Sequence, residues 1–186
     1  PNCPKIKNVN AIYHICRISN DPIIAQDIMT TVIKENLYDL IIPIGEWVLR
    51  QACKDMAQWQ KDGVPVNRIA VNVSARQFKQ QSFIDLVRDV IEETKIDPNT
   101  LELELTESLL IDDLELTLEV LSSLRKMGVR MAIDDFGTGY SSLNYLKQFP
   151  VDTLKIDQSF IRNLPDNKDD AQITRTIISM AHNLGL

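Results

Sequence analysis

The sequence contains no apolar run approaching the roughly 20 residues that a membrane-spanning helix requires. Its opening residues, Pro1-Asn2-Cys3-Pro4-Lys5, interrupt any secretory leader, so none is expected. Positive charge is also short: 20 Lys and Arg against 26 Asp and Glu leave a formal net charge of −6. That balance excludes broad electrostatic capture of DNA, RNA or anionic membrane, although bound cations can reverse the field locally. Cysteine is scarce, and Cys3, Cys16 and Cys53 show neither zinc nor redox spacing. A disulfide scaffold is thereby excluded and a reducing bacterial cytoplasm expected, with attachment to a membrane through further chain left open. Aromatics make up only 6% and no biased tract occurs, which excludes fibrous and low-complexity classes. What remains is ordinary globular composition, 44% hydrophobic and 25% charged, in a 186-residue chain sized for one buried core.

Residues 1–40 carry little regular pattern. Ile12-Tyr13-His14-Ile15-Cys16 reads as a short strand, and Asp21-Pro22 opens a predicted helix over 23–35. From residue 41 the pattern becomes periodic. Helices are predicted over 46–60, 82–94, 114–127, 141–149 and 169–184, and strands over 68–73, 101–105, 129–133 and 153–156. Repeated strand–helix alternation predicts βα units on a parallel sheet, an α/β fold. The unit length suits a (β/α) barrel, whose typical total is about 250 residues, so residues 41–186 would make a partial barrel.

Side chains alternate along a strand, so each strand sorts into two faces. Ile69, Val71 and Val73 oppose Ala70 and Asn72; Leu101, Leu103 and Leu105 oppose Glu102 and Glu104. Val129, Met131 and Ile133 oppose Ala132 and Asp134; Leu154 and Ile156 oppose Thr153, Lys155 and Asp157. If each apolar face packs on helices, Asn72, Glu104, Asp134 and Lys155 all point inward, most of them near carboxyl ends where barrels place their active sites. Carboxylates sharing an interior need compensation, and a divalent cation with a lysine beside it supplies that. Oxygen-only donors favour magnesium, manganese or calcium over zinc.

Each residue alone has an ordinary alternative. Asn72 suits a turn, Glu104 a half-exposed sheet face, Asp134-Asp135 a turn opener and Lys155 a snorkelling strand end. Their agreement by register is what favours metal chemistry. The loop Phe136-Gly137-Thr138-Gly139-Tyr140-Ser141-Ser142 adds two glycines that permit close backbone approach, with Ser141 able to cap the next helix.

Four ordered segments, Val71-Asn72-Val73-Ser74-Ala75-Arg76-Gln77-Phe78, Glu104-Leu105-Thr106-Glu107-Ser108, Asp134-Asp135-Phe136-Gly137-Thr138-Gly139-Tyr140-Ser141-Ser142-Leu143 and Leu154-Lys155-Ile156-Asp157, together resemble the EAL family. Ile44-Gly45-Glu46-Trp47-Val48-Leu49 fits as well. The family comprises bacterial cyclic-di-GMP phosphodiesterases on a modified TIM barrel. The resemblance implies that Asn72, Glu104, Asp134 and Asp135 are metal ligands for Mg2+ or Mn2+. It implies that Lys155 lies near the attacking water, so that Lys155 and Asp135 form the catalytic pair. Glu107, with Thr106 before it, matches the residues that anchor the loop after the Asp-Asp strand, a loop also associated with homodimer contacts. The implied reaction is hydrolysis of cyclic di-GMP to linear pGpG.

The pattern also departs from the family. Residues 1–40 contain no Glu-Ala-Leu, and a further Glu-bearing strand is expected beyond Leu186. Poor or absent hydrolysis by the chain as given is therefore expected, and an inactive EAL-like module that binds cyclic di-GMP or a protein is the alternative function. An unrelated metal-dependent barrel enzyme is a third reading, disfavoured by the loop motif. His182 reads as a solvated helix-end residue rather than a substitute base.

Overall fold

A computed structural model describes residues 40–139 and 143–186. The strand expected over 12–16, the helix expected over 23–35 and the cap expected at Ser141 lie outside the described residues. The chain divides into units 1–48 and 49–186; of the first, residues 40–48 are described, and 41–48 are the opening turns of helix α1.

Helix α1 spans Ile41–Lys61, starting five residues before the predicted 46. Pro43 falls in its first turn, where the missing N–H has no helical acceptor to lose. Leu49, Ala52, Cys53 and Met56 recur at helical spacing and are buried. Strand β1 (Ile69–Asn72) leads into a single helical turn, α2 (Ala75–Phe78), which the periodicity did not signal. Its cause is a capping box: Ser74 Oγ accepts from the Gln77 N–H at 3.3 Å, while Gln77 Oε1 accepts from the Ser74 N–H at 3.1 Å. Helix α3 (Phe83–Thr94) is followed by a 3₁₀ turn at Pro98–Thr100 and strand β2 (Leu101–Thr106).

A second unforeseen helix, α4 (Glu107–Asp112), grows directly from the end of β2. Helix α5 (Leu114–Lys126) is capped by Asp113, whose side chain accepts from the Leu116 N–H at 3.1 Å. Strand β3 runs Arg130–Phe136, three residues past the predicted end at 133. Helix α6 (Leu143–Leu146) ends three residues before the predicted 149, with Pro150 closing the segment. Strand β4 (Thr153–Ile156) precedes a 3₁₀ turn at Gln158–Phe160. Helix α7 (Lys168–Leu184) is capped by Asn167 and stops before Gly185.

The four strands are all parallel, in the order β1-β2-β3-β4, with helices in the crossovers, the connectivity of a barrel wall. One sheet face is apolar. Leu101, Leu103 and Leu105 are 0% exposed and are buried with Val87, Val90, Val120, Leu121 and Leu124 of α3 and α5. Each such leucine stabilises the fold by about 1.5–3 kcal/mol relative to exposure. The other face carries Ala70, Asn72, Glu102, Glu104, Ala132, Asp134, Thr153 and Lys155, as the alternation requires. Among the described residues, β1 and β4 each have one strand neighbour, and no helix is long and apolar enough to cross a membrane.

Candidate functional site at the strand ends

The polar face is built in layers. In the lower one, the buried Glu102 carboxylate accepts from Arg68 Nη1 at 2.6 Å and from Thr153 Oγ1 at 3.4 Å. In the next, Glu104 Oε1 accepts from Lys155 Nζ. Glu104 registers with Ala132, and Ala132 with Thr153, so the ion pair reaches from β2 to β4 across β3. Ala132, the β3 residue in register with Glu104, is 0% exposed. Asn72 is the register partner of Glu104 on β1, with an exposed side chain. Asp134 registers with Thr106.

Strict alternation would send Asp135 to the helix-facing side with Ile133. It does not go there. Ile133 pairs with Leu154 and Phe136 with Ile156, so β3 spends one more residue than β4 over that interval. This β-bulge sets Asp134 and Asp135 together against the single partner Lys155, with Asp135 at φ +53°, in the left-handed region. Two adjacent carboxylates thus share the end of one strand.

Their electrostatics reflect that crowding. Partial desolvation, then the charges of Asp134 and Asp157, a hydrogen bond to Asp157 and the charge of Glu104 hold the Asp135 carboxyl above the ordinary Asp range. Asp157 is held below its ordinary value, chiefly by hydrogen bonds from the Ser159 side chain and backbone and also by that from Asp135. Of the two carboxyls, Asp135 is therefore the more readily protonated. Asp157 and Ser159 were not singled out as site residues, although Asp157 shares the inward register of Lys155. The Asp-x-Ser spacing, a turn in which Asp157 accepts from the Ser159 N–H at 2.7 Å, was the available signal.

Glu107 is the first residue of α4 and is buried. Its Oε2 accepts from the N–H of Gly137 at 3.0 Å and of Gly139 at 3.3 Å. A Cβ on Gly139 would lie 2.9 Å from the Glu107 carboxyl carbon, so a larger residue there would push that carboxylate aside. Thr106, exposed, ends β2 and occupies the cap position of α4, without a side-chain cap bond. His182 is exposed near the end of α7.

The structure therefore brings Asp134, Asp135, Glu104 and Lys155 together at one end of the sheet, with Asn72 beside Glu104. Their donors are all oxygen, the chemistry that suits Mg2+ or Mn2+. Among the described residues, no group of three or more His, Cys, Asp or Glu side chains is arranged to hold a metal ion. Glu104 is engaged by Lys155 instead. The donor chemistry fits a divalent cation, while the side chains are not gathered into a cage.

The chain is similar to proteins of known architecture. It is 46% identical over 147 residues to the bifunctional diguanylate cyclase/cyclic di-GMP phosphodiesterase MucR of Pseudomonas aeruginosa, which covers 79% of this chain and 22% of MucR. It is likewise 46% identical over 147 residues to signaling protein YkoW of Bacillus subtilis, covering 79% of this chain and 18% of that protein. The chain thus spans less than a quarter of the length of these relatives. Among solved structures, a MucR phosphodiesterase complex with c-di-GMP superposes with a TM-score of 0.79 at 42% identity, covering 87% of this chain and 64% of that one. The EAL domain of Mycobacterium smegmatis DcpA superposes with a TM-score of 0.72 at 43% identity, covering 76% of this chain and 64% of the other. The described sheet is part of a TIM-type barrel wall, as in these EAL domains. The sequence model of the EAL domain matches residues 4–186, and the chain belongs to the EAL domain family.

Proposed function

We propose that the strand-end cluster is the phosphodiester site of a domain that hydrolyses cyclic di-GMP to linear pGpG. The observation that supports this most is the bulge that sets Asp134 and Asp135 together against Lys155 at the carboxyl ends of parallel strands. The similarity to a phosphodiesterase solved with c-di-GMP supports the choice of substrate. In this reading Asn72, Glu104, Asp134 and Asp135 hold Mg2+ or Mn2+. When bound, such cations supply Lewis-acid stabilisation to the attacking and leaving oxygens of an in-line displacement. Lys155 orients the attacking water and stabilises charge on the phosphoryl oxygens. A bond forms from the water oxygen to phosphorus, the bond to one ribose oxygen breaks, and the proton passes to that leaving oxygen. Asp135, whose carboxyl is held above the ordinary Asp range, is placed to handle it. Glu107, with Thr106, anchors the loop that carries the site onward, and homodimer contacts belong to the same loop.

A second reading is a module that binds the dinucleotide without cleaving it. The Glu104–Lys155 pair favours it, because that carboxylate is engaged where the first reading needs a ligand. Incubation with cyclic di-GMP and manganese, followed by chromatographic separation of products, decides between them. Production of pGpG that disappears in Asp134→Asn and Lys155→Met supports hydrolysis. Saturable binding without product supports the module, and neither binding nor product contradicts both.

A further inference from the structure

The segment that follows Asp135 is held from two sides. On one side, Glu107 accepts from the N–H groups of Gly137 and Gly139. On the other stands Phe160. A Cβ on Gly137 would lie 2.9 Å from Phe160 Cε2 and 3.2 Å from Ile177 Cδ1, so the Gly137 backbone rests against the ring and the α7 side chain. Gly137 has φ +102°, a conformation that glycine adopts without strain.

Phe160 is itself fixed. Its N–H donates to the Asp157 carbonyl at 3.2 Å, closing the turn that the Asp157 side chain caps. The Asp157 N–H donates to the Phe136 carbonyl at 3.3 Å, tying that turn to the end of β3. From α7, the Thr174 hydroxyl donates to the Phe160 carbonyl at 3.4 Å. Thr174 and Ile177 are both buried, one turn apart on the same helix face.

Two hydrogen bonds converging on one carboxylate oxygen fix the distance of the segment from Glu107 but leave it free to pivot about that oxygen. The ring and the Ile177 methyl remove that freedom by packing, since close-packed surfaces hold discrete arrangements rather than a continuum. We propose that Phe160 is a positioning residue: with Ile177 it seats Gly137 and thereby sets the backbone of Asp135, linking helix α7 to the carboxylate site. The functional part of this inference rests on the reading of Asp134-Asp135 as a cation site; the mechanical part does not.

The test compares Phe160→Ala, Ile177→Val and, as a control on the exposed side of α7, Ile173→Ala. Amide hydrogen exchange at Gly137 and Gly139 and calorimetric Mn2+ affinity are measured on each. Phe160→Ala is expected to speed exchange at the two glycines by about tenfold, with amides of α3 unchanged, as local opening requires. Mn2+ binding is expected to weaken by about five- to tenfold as the support of a ligand loosens. Ile177→Val, which deletes only the Cδ1 against Gly137, is expected to speed glycine exchange by about threefold, and Ile173→Ala to leave it unchanged. Unchanged glycine exchange in a folded Phe160→Ala, or in Ile177→Val should the former not fold, overturns the proposal. A wild-type chain that binds no Mn2+ defeats the cation reading alone, and the exchange data still decide the positioning role.

Discussion

Asp135 departs from the alternation that places every other inward-facing residue. Its left-handed backbone and the extra residue in β3 turn what would be a helix-facing side chain into a second carboxylate beside Asp134. The cost of that conformation in a non-glycine residue is about 1–3 kcal/mol and persists only where surrounding contacts over-determine it. Glu107 is one such contact. Glu107→Ala is expected to destabilise the domain by about 1–3 kcal/mol, because two N–H groups lose their acceptor, whereas Glu107→Gln retains an oxygen and loses about 1 kcal/mol. Urea denaturation measures both. Cys53 makes a separate point about the interior. Burial pushes its thiol up from 9.0 to about 12, so the thiolate is disfavoured in the folded state. A raised folded value means that the stability linked to this group is fully present below pH 9 and is lost as pH rises from 9 toward 12. In a Cys3→Ser, Cys16→Ser background, a thiol reagent at pH 8 is expected to label Cys53 only after denaturant is added. Rapid labelling of the folded chain would contradict that burial.

At the scale of elements, strands and long helices were legible because their apolar periodicities are strong. The strands predicted over 68–73, 101–105 and 153–156 are observed as Ile69–Asn72, Leu101–Thr106 and Thr153–Ile156. The short helices α2 and α4 were not, since one or two turns are too short to show a period. Their signals are local: the Ser74-x-x-Gln77 box for α2 and the Thr106-Glu107 entry for α4. The bulge in β3 escaped for the opposite reason, because an alternating template has no place for an inserted residue. Its only trace is the side-by-side pair Asp134-Asp135, two polar residues where alternation allows one. The bridge from β2 to β4 likewise depends on pairing that no single strand reveals. Ala132→Leu is expected to separate Glu104 from Lys155 and to cost about 1–3 kcal/mol through overpacking. Equilibrium denaturation checks it, and a variant as stable as the parent would show that the pair does not depend on the residue between. Leu103→Ala, on the apolar face of β2, is expected to cost about 2–5 kcal/mol in the same measurement.

For the whole molecule, the sheet order β1-β2-β3-β4 explains why the site could be approached by register alone. Parallel strands in sequence order place like positions side by side, so Asn72, Glu104, Asp134 and Lys155 gather at one end of one face. What register could not supply is the state of the side chains. Glu104 is held by Lys155, and the described carboxylates form no ready cage, so cation binding must compete with an existing ion pair. This competition is the central physical claim about the site. It is tested most directly by calorimetric titration of Mn2+ into the wild-type chain, Asp134→Asn and Lys155→Met. Saturable binding is expected of the wild type, a loss of about tenfold or more in affinity of Asp134→Asn, and tighter binding of Lys155→Met as Glu104 is released. Equal Mn2+ affinity in all three proteins would contradict it.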